Sequence, residues 1–174
     1  ECGADALKIS APAHREWTAG NLAAYENNVE VVKLLVTSGA MDVNFWPSKL
    51  QKNGQMTMLM AAVENGSKEV LLWLLTEGGA AVNGFRLNDG WSAVHVAVSF
   101  NWSSMLRVLL EHGADPNLPG AGYETPLHVA IRKESTGIAE MLLANKADPR
   151  IPDRYGKTAY DTNPELVEKL SQPR

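Results

Sequence analysis

Cysteine is almost absent from this chain: Cys2 is the single one in 174 residues, which excludes an internal disulfide framework. With no signal-like start and no long apolar run, a reducing compartment, cytoplasm or nucleus, is expected, and no membrane partner. A basic excess is missing too. Sixteen Lys and Arg stand against twenty Asp and Glu, for a net charge of −4 shared evenly between the two halves, so there is no positive field of the kind nucleic acid requires. Chemistry-bearing constellations are equally scarce. His14, His95, His112 and His128 have no Cys, His or carboxylate neighbours at metal-ligand spacing, so no metal or cofactor is expected. Gly156-Lys157-Thr158 echoes the end of a phosphate loop, but Ile151 stands where the leading glycine should be. No nucleophile motif occurs and nothing local activates Cys2, so the chain does not read as an enzyme. Asn65-Gly66-Ser67 and Asn101-Trp102-Ser103 match the glycosylation sequon, a match taken as chance because nothing else suggests secretion.

What the chain has is repetition. In residues 125–150, Thr125 stands where a helix N-cap is wanted and Pro126 follows at the first helical position, where its missing N–H costs nothing. Leu127, Ala130 and Ile131 fall on one face at helical spacing. After a polar break, Ile138, Met141, Leu142 and Leu143 make a second apolar stripe. The pattern predicts two short paired helices followed by a turn, neither able to bury enough apolar surface alone. It recurs upstream from Ser92, Thr57 and Thr18, at spacings of 33, 35 and 39 residues.

Three stretches, Thr125-Pro126-Leu127-His128-Val129-Ala130, Gly113-Ala114-Asp115-Pro116-Asn117 and Asp153-Arg154-Tyr155-Gly156-Lys157-Thr158-Ala159, occur in one order and phase. In these the chain resembles the ankyrin repeat family over nearly its whole length. The resemblance implies an all-α solenoid with β-hairpin-like fingers and a concave binding face, and a protein-binding role without catalysis. As a single domain, residues 1–174 then divide into a remnant of a preceding repeat (1–16), four repeats (17–45, 46–84, 85–118 and 119–151) and a shortened cap (152–174). His95 and His128 occupy the position from which the family's imidazole bonds to backbone across repeats.

Departures from the pattern carry their own expectations. Gly3-Ala4-Asp5 matches Gly113-Ala114-Asp115 with no helices before it, which suggests a piece of a longer protein. Ala19, Gly20 and Asn21 stand where Pro, Leu and His are usual, so the first full repeat is expected to have a weak helix start, a gap in its core and the lowest stability of the stack. Five extra residues lengthen the finger ahead of Thr57, where Phe45 and Trp46 either fold back over a neighbouring finger or contact a partner. The second helix of the last unit, around 166–170, arrives early, with Glu165, Glu168 and Lys169 suited to a terminal, water-facing side.

Carried across position by position, the family's variable surface falls in the first repeat on His14, Arg15, Trp17, Tyr25 and Glu26. In the second it falls on Asn53, Gly54, Met56, Glu64 and Asn65, and in the third on Asn88, Asp89, Trp91, Ser99 and Phe100. The fourth supplies Tyr123, Glu124, Arg132 and Lys133 beside Ala121 and Gly122, and the cap supplies Arg154, Tyr155 and Lys157. Aromatic residues are dense in this set, as at interface hot spots, unless the fingers pack on one another. Acidic members come from the early repeats and basic ones from the late repeats. The expectation is a monomeric module that binds another protein or peptide segment with reversed charges. The alternative is a sensor of a small anionic ligand such as a nucleotide, with Trp91 or Phe100 stacking a base and Arg132 and Lys133 holding phosphate.

Overall fold

Each hydroxyl residue singled out as a helix start is one. The computed structural model describes residues 17–45, 56–86 and 88–171, and the chain divides into two compact units, Glu1–Asn88 and Asp89–Arg174. In the first unit lie α1 (Ala19–Tyr25), α2 (Val29–Thr37), α3 (Met58–Glu64) and α4 (Lys68–Thr76). The second holds α5 (Ala93–Ser99), α6 (Ser103–Glu111), α7 (Pro126–Arg132), α8 (Thr136–Ala144), α9 (Ala159–Thr162) and α10 (Pro164–Ser171). Among the described residues these ten α-helices are joined by a 3₁₀ turn at Ala121–Tyr123 and by no strand. An isolated antiparallel bridge between Pro152 and Thr158 gives the last finger its hairpin character.

Local chemistry explains the short, paired helices. The hydroxyls of Thr18 and Thr57 accept from the amides of Asn21 and Met60 at 3.1 and 3.2 Å, caps of the kind that contribute ~0.5–2 kcal/mol each. Between paired helices the chain reverses through one residue of left-handed backbone: Asn27, Gly66, Asn101 and Glu134 in the four repeats. The amide of the third residue after each first helix reaches back to it, as in Asn28 to Ala23 O and Trp102 to Ala97 O, both at 2.9 Å.

In the first unit, α1 packs on α3 and α2 on α4, burying Ala24, Val32, Leu59, Val63, Val70, Leu71 and Leu74 almost completely. The expected gap at Gly20 is filled. A Cβ there would lie 2.5 Å from Met41 Sδ and 2.9 Å from Met58 Sδ, so the two thioethers occupy the volume that a side chain would take elsewhere. Asn21 likewise takes the place of histidine: its Nδ2 donates to Met56 O at 2.6 Å.

In the second unit α5, α7 and α9 form one row and α6, α8 and α10 the other, around Val94, Leu106, Leu109, Leu127, Ile131, Ile138 and Leu142. Helix α10 closes this unit with Val167 buried and with Glu165, Glu168 and Lys169 exposed. It begins at Pro164, and the Asn163 side chain accepts from the amide of Leu166 at 3.0 Å.

Candidate functional site

The fingers are held in register by the residues that start the first helices. Nδ1 of His95 lies 3.2 Å from the Ser92 amide. That amide can only donate, so Nδ1 accepts, the ring proton sits on Nε2, and Nε2 donates to Glu124 O at 3.1 Å. His128 repeats the arrangement, from the Thr125 amide at 3.1 Å to Lys157 O at 3.2 Å. Each imidazole therefore fixes a carbonyl of the next finger, as the resemblance implied. His112 instead bonds Val108 O within its own helix end. Asparagines tie the other ends of the repeats: Asn44 pairs with Gly79 O and the Ala81 amide, and Asn117 with Lys146 O and the Asp148 amide.

Two residues assigned to the partner surface turn out to belong to the core. Trp17 is 6% exposed and meets the Tyr25 ring edge-on at 4.7 Å. It precedes the extended Thr18 cap of α1, and Tyr25 ends the same helix. Met56 is 7% exposed and serves through its carbonyl, the acceptor for Asn21. Both are corrections to the expected contact set. Tyr25 and Glu64 are half-buried and Glu26 is exposed. Phe45 is 39% exposed, whereas Trp46, Asn53 and Gly54, like His14 and Arg15, lie outside the described residues.

In the second unit, Asp89 accepts from the Trp91 amide at 3.0 Å and shapes the turn into α5. The Trp91 ring stacks on the His95 ring at 5.8 Å and 22°. Gly120 lies against both, since a Cβ there would meet Trp91 Cδ1 at 3.0 Å and His95 Nε2 at 3.2 Å. Trp91 is thus a half-buried wedge under a finger, with one face committed. Two cations are also committed. Arg132 pairs with Glu124 at 3.0 Å, and Lys133 Nζ donates to Ser99 O at 2.5 Å. Lys133 does for α5 and α7 what Asn65 does for α1 and α3, where Nδ2 donates to Tyr25 O at 2.8 Å. Each of the two groups assigned to phosphate thus has a partner, Glu124 in the same repeat and Ser99 at the end of α5 in the one before.

Three of the assigned aromatic residues stay open in this unit. Phe100 is 50% exposed, Tyr123 65% and Tyr155 79%. The two tyrosines sit on neighbouring fingers joined by the Arg154 amide, which donates to Gly122 O at 2.7 Å. The last finger is rigid in itself: Asp153 Oδ1 accepts from the amides of Tyr155 and Lys157 at 2.8 and 2.9 Å. Arg154 lies over the Tyr155 ring at 6.0 Å. Its stem also covers Gly122, where a Cβ would meet Arg154 Cδ at 3.4 Å. Asn21, Asn65 and Glu124 were not assigned these roles from sequence, although Asn21 stands at the third position after its cap, as His95 and His128 do.

Among the described residues no group of three or more His, Cys, Asp or Glu could hold a metal ion, and no helix is long and apolar enough to cross a membrane. The arrangement offers fixed, exposed rings and carbonyl clamps. A family model described as ankyrin repeats (3 copies) matches residues 2–85 and 79–153. The chain is 38% identical over 79 residues to the human BCL-6 corepressor-like protein 1, covering 45% of the chain and 4% of that protein. It is 35% identical over 101 residues to the Drosophila melanogaster transient receptor potential channel pyrexia, covering 58% of the chain and 10% of the channel. To the regulatory protein NPR6 of Arabidopsis thaliana it is 36% identical over 101 residues, 58% of the chain and 20% of that protein. In each case the match spans a fifth or less of the relative's own length. Helix pairs, histidine clamps and family model agree: the chain belongs to the ankyrin repeat family.

Proposed function

We propose that this chain is a non-catalytic protein-binding module of a larger regulatory, adaptor or scaffold protein of the cytoplasm or nucleus, and that Tyr123 and Tyr155 are the centre of its contact surface. Ankyrin repeats are in general protein–protein interaction modules within larger proteins. The observation that carries the finer reading is the pair of tyrosines, 65% and 79% exposed on fingers held together by the Arg154 to Gly122 bond. Rings on fingers already ordered lose little freedom on binding, and burying such a ring contributes ~1.5–3 kcal/mol. Phe100 extends the apolar area, and the exposed Arg154 and Lys157 favour an acidic residue in the bound segment.

The test is a capture experiment with the chain as bait, followed by titration of the recovered partner. The Tyr123→Ala, Tyr155→Ala double variant should leave the unfolding midpoint nearly unchanged and weaken binding by at least about tenfold, as loss of hot-spot residues does. Unchanged affinity in a folded double variant would remove these fingers from the binding surface.

A further inference from the structure

A repeat protein allows each turn to be compared with its own counterparts, and one turn does not match them. The residue that follows each first helix is Glu26, Asn65, Phe100 and Lys133 in chain order. The residue that starts each second helix is Asn28, Ser67, Trp102 and Ser135. Elsewhere both positions are polar, and the polar groups have bonds to make: Asn65 Nδ2 and Ser67 Oγ both donate to Tyr25 O, and Asn28 Oδ1 accepts from the Val31 amide. The turn between α5 and α6 places an aromatic ring at each position instead, and both are exposed, Phe100 by 50% and Trp102 by 38%.

The backbone that carries these rings is fixed. They flank Asn101, in left-handed backbone at φ 56°, and their amides donate to Val96 O at 3.1 Å and Ala97 O at 2.9 Å. The neighbouring core positions are taken by Val98, Met105 and Leu106, all buried. Where α2 and α4 carry Glu30 and Glu69 in their first turns, α6 has none, and its first charge is the exposed Arg107, one turn beyond Ser103 on the same face. From the next turn Lys133 brings its amine onto Ser99 O, beside Phe100, and exposed Glu134 follows it. His95 bonds Glu124 O at the start of α5 and α7, and Lys133 bonds Ser99 O at their end, so the two helices run side by side in one direction. Tyr123 precedes the start of α7, and the aromatic turn adjoins the far end of α5, about 10 Å away along a helix of seven residues.

We infer that the Phe100–Trp102 turn is a second contact surface, and that its occupant is a protein segment in which a bulky apolar side chain stands next to Asp or Glu. The apolar side chain lies on the two rings and the carboxylate meets Arg107, in the field that Lys133 reinforces. Aromatic residues and arginine dominate interface energies, and rings on an ordered turn lose little freedom when covered. The cations chiefly set register and association rate. The acidic excess of the chain, twenty Asp and Glu against sixteen Lys and Arg, disfavours a nucleic-acid strand stacking its bases on the same rings. The inference rests on the protein-binding reading of the chain but not on the tyrosine fingers.

The test is selection of phage-displayed random dodecapeptides on the 174-residue chain, followed by titration of the enriched peptides as synthetic probes. Enriched sequences should place an aromatic or large aliphatic residue beside Asp or Glu. The Phe100→Asn, Trp102→Ser double variant carries the residues of the second repeat, Asn65 and Ser67, so its unfolding midpoint should be nearly unchanged while it binds these peptides at least about tenfold more weakly. Arg107→Glu should weaken binding about threefold or more at low salt, and less at high salt. The Tyr123→Ala, Tyr155→Ala variant should bind them as the wild type does, which separates failure here from failure of the finger surface. The inference is overturned if no such pattern is enriched, if the folded turn variant binds as well as the wild type, or if Arg107→Glu leaves affinity unchanged at low salt. A turn variant that no longer folds makes the rings part of the core and overturns it too. Peptides released by the tyrosine variant and not by the turn variant would assign the contact to the fingers.

Discussion

Lys146 is in left-handed backbone, φ 70°, at the position after a second helix where the other three repeats have Gly39, Gly79 and Gly113 at 72°, 71° and 82°. A side chain in this conformation costs ~1–2 kcal/mol, and glycine's greater freedom in the unfolded chain returns roughly 0.5–1 kcal/mol of what its substitution would gain. Lys146→Gly should therefore stabilise the fold by about 0.5–1 kcal/mol. A lysine at a helix C-terminus also interacts favourably with the helix dipole, by about 0.3–1 kcal/mol at low ionic strength, so the gain should grow as salt screens that term. The carbonyl of residue 146, which accepts from Asn117 Nδ2 at 3.0 Å, survives the substitution. The mirror change is Gly113→Ala. No atom lies within 4 Å of a Cβ there, so any loss, expected at about 1 kcal/mol, is backbone strain and not a clash. Urea unfolding followed by circular dichroism reads both as midpoint changes at constant slope. A lower midpoint for Lys146→Gly at high salt, or a higher one for Gly113→Ala, would refute the reasoning.

Gly20→Ala should destabilise by roughly 1 kcal/mol although helix propensity alone favours alanine by about that much, because the new methyl would displace the thioethers of Met41 and Met58; thermal unfolding decides the sign. His128→Ala removes the acceptor of the Thr125 amide and the donor to Lys157 O and should cost ~2–3 kcal/mol, with His128→Asn recovering part of it in the way Asn21 serves Met56. Asp161 is held below the usual carboxylate range, first by the Thr158 hydroxyl and then by the Thr158 amide. Its folded pKa is thus below its unfolded one, so its contribution is present at neutral pH and lost as pH falls through the lowered value. Protection of the α9 and α10 amides, measured relative to the intrinsic exchange rate at each pH, should fall in acid in the wild type, and much less steeply in Thr158→Val.

The helices were legible because each depends on a local signal repeated four or five times: a hydroxyl cap, an apolar stripe and a turn. Their counterparts correct one another, so Thr18 reads as a start even with Ala19 and Gly20 behind it. The surface was less legible because exposure is settled by neighbours distant in sequence. Trp17 and Tyr155 are both aromatic residues near a helix-start threonine, yet the Tyr25 ring covers the first and nothing comparable covers the second. Charges were legible by position but not by pairing. Arg132 and Lys133 read as adjacent cations, but Glu124 pairs with the first within the same repeat, and the Ser99 carbonyl comes within reach of the second once α5 and α7 are side by side. Asn21 shows the opposite case, a departure from the family pattern that supplies the donor the pattern needs through a shorter side chain.

That substitution weakens one reason for expecting the first repeat to be the least stable. The sequence suggests a poor helix start, which would make α1 the first element to open. In the structure α1 has its threonine cap, its link to Met56 and the two methionines around Gly20, whereas α2 has Leu34 65% exposed. The two causes give opposite orders of opening. An uncovered side predicts that amides of α2 exchange faster than those of α1, since local opening follows lost apolar contact. A poor start predicts the reverse. Native-state hydrogen exchange on residues 22–25 and 32–36 separates them, and slower exchange in α2 than in α1 would reject the uncovered face as the weak point of this unit.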